Sequence, residues 1–475
     1  MIERLPRLAV IAGAILSLPL LAYMAYSRSV YLTSPTFLGA FVVLELLLAA
    51  VCVYRRYFLG IVLFAFLAAG SNMPFGGGMW TAARWAFLAV GAMVGFFIIL
   101  KERGCQFRAF HAFAIFALLA AIASSAASRY PGFALLKAAS LVLLFLYAGS
   151  GGRLAAFTRE NRFLSGLLIS AEVYVVWVTG SHLIGIEVMG NPNSLGAAMG
   201  VFASPVLLWG TMVASVSTVR LRRLLLYVAA MYLVFHSQSR AGILAAFLSS
   251  SILCLGLRKY KLFAQGVLVL VICAAAAAVW NPEAFSARIS SLTSSVVYKD
   301  KDPELGLFAS RQTPWQTAMD SIHKHFWFGS GFGTTDNGLD ASSHLSKFST
   351  TEGVSSENGS SYLAVFTWVG MLGILPFALL LFSLLGKVLR TFLWMLQTSN
   401  PFHPAIPLAM VVFAGFVNAS FEDWLFAPGY YLCVFFWAMA FILVDVSPWA
   451  PMPSFTHSWR PFLMSPPARG MAPSR

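Results

Sequence analysis

LFAQGVLVLVICAAAAAVW, residues 262–280, runs nineteen residues without a charge and is followed at once by the polar NPEAFSARISS from Asn281. Such a run crosses a bilayer as a helix, because lipid offers backbone groups no partner and roughly 20 residues cover a hydrocarbon core of about 30 Å. Working outward, runs of the same kind recur before it at approximately 8–26, 36–54, 57–73, 83–100, 108–127, 132–149, 163–181, 194–215, 223–237 and 240–257. Three more follow at 361–385, 403–420 and 428–446. The composition agrees: apolar residues make up 59% and charged residues 11%, with a mean hydropathy of +0.77, which excludes an ordinary soluble domain. The fold class expected is an all-α polytopic membrane protein with about 14 transmembrane helices (12–14) and one large outer loop containing short helices.

Fourteen spans put both termini on one side, and the basic residues say which. With the N-terminus in the cytoplasm, 21 of the 32 Lys and Arg fall inside, among them Arg108, Arg153, Arg222, Arg223, Lys387 and Arg390. The short outer loops keep Arg28, Arg84, Arg129 and Arg240. Residues 281–360 then face outward. The net charge of +14 follows from this bias and from attraction to an anionic inner leaflet. No basic face or aromatic-basic module calls for nucleic acid.

Four regions are expected: a bundle of about 11 helices over 1–280, the outer loop 281–360 with a catalytic or lid role, three further spans over 361–446, and a disordered cytoplasmic tail over 447–475. The first span lacks a small-residue cleavage site and reads as an uncleaved anchor. Cys52, Cys105, Cys254, Cys273 and Cys433 lie in spans or at their inner ends, so no disulfide framework and no cysteine zinc site is expected in the loop.

Within the loop, Thr313-Pro314-Trp315-Gln316 reads as a helix start, with Thr313 as N-cap and Pro314 first in the helix. Trp315, Met319 and Ile322 would share its apolar face, and Gly329-Ser330-Gly331-Phe332-Gly333 would stop it. Arg311 precedes the cap. A helix N-terminus attracts anions, so a guanidinium beside it forms a diphosphate clamp, or else Arg311 is an ordinary solvated loop arginine.

Ser239-Arg240-Ala241-Gly242 offers a second guanidinium at the outer mouth, with Gly242 allowing a partner close to the backbone. Arg240 reads equally as an interfacial arginine snorkelling to water. Glu357, just before the span at 361–385, could take a proton from an acceptor hydroxyl, or simply stabilise a helix start. His344 is the other candidate base, its ordinary titration range already suited to the task. Glu45, Lys137 and Glu172 fall inside spans, where charge is costly; Lys137 and Glu172 would neutralise each other. Glu422-Asp423-Trp424 is a runner-up acidic site.

Other signals carry little. The Gly329–Gly333 turn lacks the ending of a phosphate loop, Asp300-Lys301-Asp302 arises easily by chance in a polar stretch, and His323 and His325 point to different helix faces. No metal site and no cofactor is expected.

The order of motifs resembles the O-antigen ligase and O-antigen polymerase superfamily of bacterial envelope glycosyltransferases. The matching pieces are Gly190-Asn191-Pro192-Asn193, Ser237-Gln238-Ser239-Arg240-Ala241-Gly242, Arg311 and Trp315 ahead of Phe328–Gly333, then Glu357-Asn358 before Tyr362-Leu363 and Gly370-Met371-Leu372-Gly373. The resemblance covers roughly 190–375. It implies inverting, metal-independent transfer of a glycan from a polyprenyl-diphosphate carrier to an acceptor sugar, at the periplasmic face of the bacterial inner membrane. Arg240 and Arg311 would hold the diphosphate, and Asn191, Asn193, Ser239, Trp315 and Asn358 would line the substrate.

In ligases the end of the loop carries His-Asn with Leu soon after. Here Glu357 stands where that histidine would, and Leu363 lies five residues after Asn358, leaving the base between Glu357 and His344. Partners implied are the lipid-linked oligosaccharide donor, a glycan or lipid-linked acceptor, the bilayer and other polysaccharide-assembly proteins. The alternative reading is a transporter or flippase for a lipid-linked glycan, working through Glu45, Lys137 and Glu172.

Overall fold

Apolar runs become helices wherever the computed structural model describes them, over residues 58–71, 77–101, 107–157, 160–283, 309–334 and 359–448, with Ser286 and Ser290. The expected spans 8–26 and 36–54, the tail from 449, and Glu45, Asp300, Lys301, Asp302, His344, Glu357 and Asn358 lie outside the described residues. In chain order the principal helices are α1 (Phe58–Ala69), α2 (Gly77–Lys101), α3 (Ala109–Ala126), α4 (Pro131–Tyr147), α5 (Glu160–Leu183), α6 (Pro192–Val213), α7 (Ser217–His236), α8 (Arg240–Gly256) and α9 (Tyr260–Trp280). They continue with α10 (Ala309–Lys324), α11 (Ser361–Thr398), α12 (Ala405–Ala419) and α13 (Tyr431–Val446). No strand occurs among the described residues. Among the described residues, five helices are long and apolar enough to cross a membrane: α3, α4 with its continuation to Gly152, α5 from Phe163, α6 and α11.

The centre of the bundle is α6, packed against α5, α7, α8 and α12. Its approach to α8 depends on missing side chains. Gly196 and Gly200, four apart on one face, lie against Gly242; a methyl on Gly196 would overlap Ser239, and one on Gly200 would overlap the Gly242 carbonyl. Gly242 thus allows the close backbone approach expected of it, and the neighbour it admits is α6. The consequence is positional, because this crossing brings Asn193 and Ser194 to the same end as Arg240. Pro205 has no N–H to give the preceding turn, and just before it α6 widens to π geometry over Ala198–Ala203.

The expected span 361–385 is corrected in two ways. Helix α11 continues to Thr398, and it is broken at Gly370, whose φ of 65° and ψ of −170° only glycine adopts without strain. The break frees four backbone groups, and the turn after α10 takes all of them. The N–H groups of Ser330 and Gly331 donate to the Thr367 and Trp368 carbonyls, both at 3.0 Å; Met371 and Leu372 donate to the Phe326 and Trp327 carbonyls at 2.7 and 3.1 Å. Ser124 Oγ of α3 adds a bond of 2.6 Å to the Trp368 carbonyl, and Ser128 Oγ donates to the Ser330 carbonyl at 2.6 Å. Irregular backbone is thereby satisfied by protein rather than left to lipid.

Helix α10 also departs from expectation. It begins at Ala309, so Pro314 lies inside it and Arg311 in its first turn rather than ahead of a cap at Thr313. Pro314, the sixth residue of this helix, has no N–H to give the Ser310 carbonyl. Its buried face is Ala318 and Ile322 with Trp315 half-buried, while Met319 is 45% exposed.

Charges settle at the two ends of α13. In its last turn, Arg153 pairs with Asp445, with Nη2 to Oδ1 at 2.7 Å, and Arg108 donates to the Val444 carbonyl at 2.7 Å. Arg84 and Tyr430 gather at the other end, where Arg84 donates to the Gly429 carbonyl at 2.8 Å. Lys137 and Glu172 do not pair. Glu172 is held instead by Arg222 at 2.7 Å and Arg223 at 2.8 Å, and Arg223 also donates to the Gly210 carbonyl. Arg223 is long enough to reach from near the start of α7 to mid-span on α5.

Candidate functional site

Arg240 is the first residue of α8, set there by a tight turn at Ser237–Ser239 in which Gln238 adopts a φ of 52°. Ser239 is the N-cap: its Oγ accepts from the Gly242 N–H at 3.2 Å. Ser239 is 1% exposed and packed on Gly196, so its hydroxyl shapes the turn that presents Arg240.

Arg311 approaches from α10. Its Nη2 donates to Glu422 Oε1 at 2.7 Å, and the two side chains are only 11% and 15% exposed. Glu422 lies in the link between α12 and α13 and is itself fixed. Its backbone carbonyl accepts from the Ser361 N–H at 3.0 Å and from Ser361 Oγ at 2.6 Å, while Ser361 Oγ also accepts from the Leu425 N–H at 3.0 Å. The start of α11 therefore locks the residue that locks Arg311. Arg240 lies within electrostatic reach of both Arg311 and Glu422, so two guanidiniums from separate helices share one carboxylate's field.

Trp315 stands one turn beyond Arg311, and its Nε1 donates to the Gly359 carbonyl at 3.4 Å. Gly359, with a φ of 67°, leaves room for the Trp315 ring and the Arg311 stem; a methyl there would come within 3.1 Å of Trp315 Nε1. Gly359 thus lies against the Arg311 stem and the Trp315 ring.

Asn191 is the N-cap of α6, its Oδ1 accepting from the Asn193 N–H at 2.8 Å, with Pro192 first in the helix. Asn191 is exposed and Asn193 half-buried. Next to them Ser194 receives Tyr430 OH on its Oγ at 3.0 Å and Tyr431 OH on its carbonyl at 2.8 Å. Tyr430 feels the Glu422 charge in turn, so the Asn191–Ser194 corner is tied to the Arg311–Glu422 pair through the α12–α13 link.

The structure brings together Arg240, Arg311, Trp315 and the Asn191–Asn193 corner. Residues 225–378 match the family described as O-antigen ligase. This stretch is similar to an O-antigen ligase domain. It begins inside α7, takes in the Ser237–Gly242 turn, Arg311 and the Gly329–Gly333 turn, and ends beyond the break at Gly370. The O-antigen ligase domain supports the ligase and polymerase superfamily, and with it an envelope-polysaccharide function in a membrane. No curated protein matches the chain.

Glu422 lies outside the matched stretch, some forty residues past its end. In the sequence it belongs to Glu422-Asp423-Trp424, the runner-up acidic site. What marks it is the pairing with Arg311, which only the fold creates.

Proposed function

We propose that the chain is a glycosyltransferase that moves a glycan from polyprenyl diphosphate to an acceptor sugar at the periplasmic face of a bacterial inner membrane. The observation that carries this reading is the convergence of Arg240 and Arg311 from α8 and α10 at one end of a membrane bundle. The acceptor hydroxyl oxygen attacks the anomeric carbon and forms the new glycosidic bond. The bond from that carbon to the diphosphate oxygen breaks, and its electron pair leaves with the diphosphate. Two guanidiniums facing that oxygen stabilise the charge as it develops, which is where electrostatic catalysis acts most strongly.

Glu422 is a positioning residue in this scheme, holding the Arg311 fork in one orientation. The acceptor proton goes to Glu357 or His344; Gly359 beside Arg311 supports Glu357, two residues earlier in the chain. Asn191, Asn193, Trp315 and Asn358 line the sugar side, with residues 281–360 outside and both termini in the cytoplasm. The polyprenyl tail stays in lipid while its head reaches the arginines, and the activated donor supplies the energy, so no nucleotide or metal enters the scheme.

The test is an assay in detergent with lipid-linked repeat units. Wild-type protein should release polyprenyl diphosphate and build glycan product, whereas Arg240→Gln and Arg311→Gln should each lose both by about a hundredfold or more, as loss of a charge-stabilising donor does. Normal product from both variants overturns the assignment. Glycan translocation without release of polyprenyl diphosphate would establish transport instead.

A further inference from the structure

A second pair of cations stands at the same end of the bundle, and the scheme above does not use it. Arg84 on α2 and Lys137 on α4 lie close enough to act on one another electrostatically. Among the described residues no carboxylate pairs with either. Arg84 spends Nη1 on the Gly429 carbonyl and rests on Phe66 and Trp85 at 5.7 and 5.6 Å from the ring centroids, yet its Nε is buried with no hydrogen-bond partner. Among the described residues the Lys137 ammonium has the face of Phe133, 5.4 Å away, and no ion pair. Lys137 keeps an exposed surface although Gly333 closes against its stem. Two like charges within a membrane bundle are costly without a counter-ion, and a free guanidinium N–H beside an accessible ammonium is the donor set of an anion site.

The link between α12 and α13 joins the two cationic pairs. It holds Arg311 through Glu422 at its start and Arg84 through Gly429 at its end. Resting on the proposed glycosyl transfer, we infer that Arg84 and Lys137 hold the diphosphate of a second polyprenyl-linked glycan, the acceptor. A ligase acting on an acceptor of another kind needs one diphosphate site; an enzyme that joins lipid-linked repeat units to one another needs two.

Farnesyl diphosphate, titrated into the full-length protein in detergent and counted by native mass spectrometry, separates these outcomes. Two molecules should bind wild-type protein, and one should bind either Arg84→Gln/Lys137→Gln or Arg240→Gln/Arg311→Gln. Lys137→Arg, which keeps the charge, should still bind two. If the Arg84→Gln/Lys137→Gln protein fails to accumulate, the single Lys137→Gln at the exposed position should weaken one of the two sites by about tenfold. One molecule on wild-type protein, lost only with Arg240 and Arg311, overturns the second site and leaves the glycosyltransferase reading standing. One molecule lost only with Arg84 and Lys137 overturns the two-lipid inference and removes the support for the Arg240–Arg311 pair. Inorganic pyrophosphate binding as tightly as farnesyl diphosphate at the Arg84 site would mean a free anion rather than a lipid head, and would also overturn the inference.

Discussion

Arg311 and Glu422 form an ion pair that is largely sheltered from water, and the value of such a pair lies in its geometry more than in its stability. Removing one partner strands the other charge, which costs on the order of 3 kcal/mol, whereas an amide in place of the carboxylate keeps a hydrogen bond. Glu422→Gln should therefore accumulate normally and lower kcat by about tenfold to a hundredfold with little change in KM, since the guanidinium fork loses its orientation rather than its charge. Glu422→Ala should also lower the melting temperature in detergent. An unchanged kcat for Glu422→Gln would remove it from the site. The role proposed for Arg240, equally readable as a snorkelling arginine when seen as one residue in a sequence, rests on its lying in the shared field of Arg311 and Glu422.

At the scale of elements, what matters is which helices glycine allows to meet. Gly370→Ala would place a side chain on a left-handed residue and drive its methyl into the Gly329 backbone. The variant should lose the bonds between α11 and the turn at Phe326–Gly331, and limited proteolysis should cut within 326–334 at least ten times faster than in wild type. The apolar runs made the helices legible from the sequence, since each expected span from 57 onward coincides with a helix. Length was not enough to find the break in α11, because Gly370 sits in an apolar run whose hydropathy never falls. Nor could periodicity place Arg311 inside α10, where a proline and a capping pattern pointed to a start at Thr313, one turn after the observed start at Ala309. The arginine pair was readable as two motifs and Glu422 as a runner-up acid, but their pairing was not: Glu422 and Arg311 are 111 residues apart, and no local pattern joins them.

Across the whole molecule the two charged ends differ in kind. One holds the Arg153–Asp445 pair with Arg108 and Lys387, in which every described base has an acid or a carbonyl nearby. The other carries Arg84, Lys137, Arg240 and Arg311 around one described ion pair. If the second end faces the periplasm, single cysteines at Gln312 and at Lys261, in a variant with the five native cysteines replaced, should label differently. A membrane-impermeant maleimide should reach position 312 in intact cells and position 261 only after the inner membrane is opened; the reverse pattern would invert the topology.

The stitched break at Gly370 also bears on how the protein is made. The nine residues of α11 ahead of it, Ser361–Val369, rise only about 14 Å, half the thickness of the hydrocarbon core, and cannot span it alone. Their carbonyls find partners in the turn after α10, which precedes them in the chain and so leaves the ribosome first. Synthesis in order then supplies the template before the segment that needs it, and insertion of this half-helix becomes a docking step onto finished protein rather than a partition into lipid.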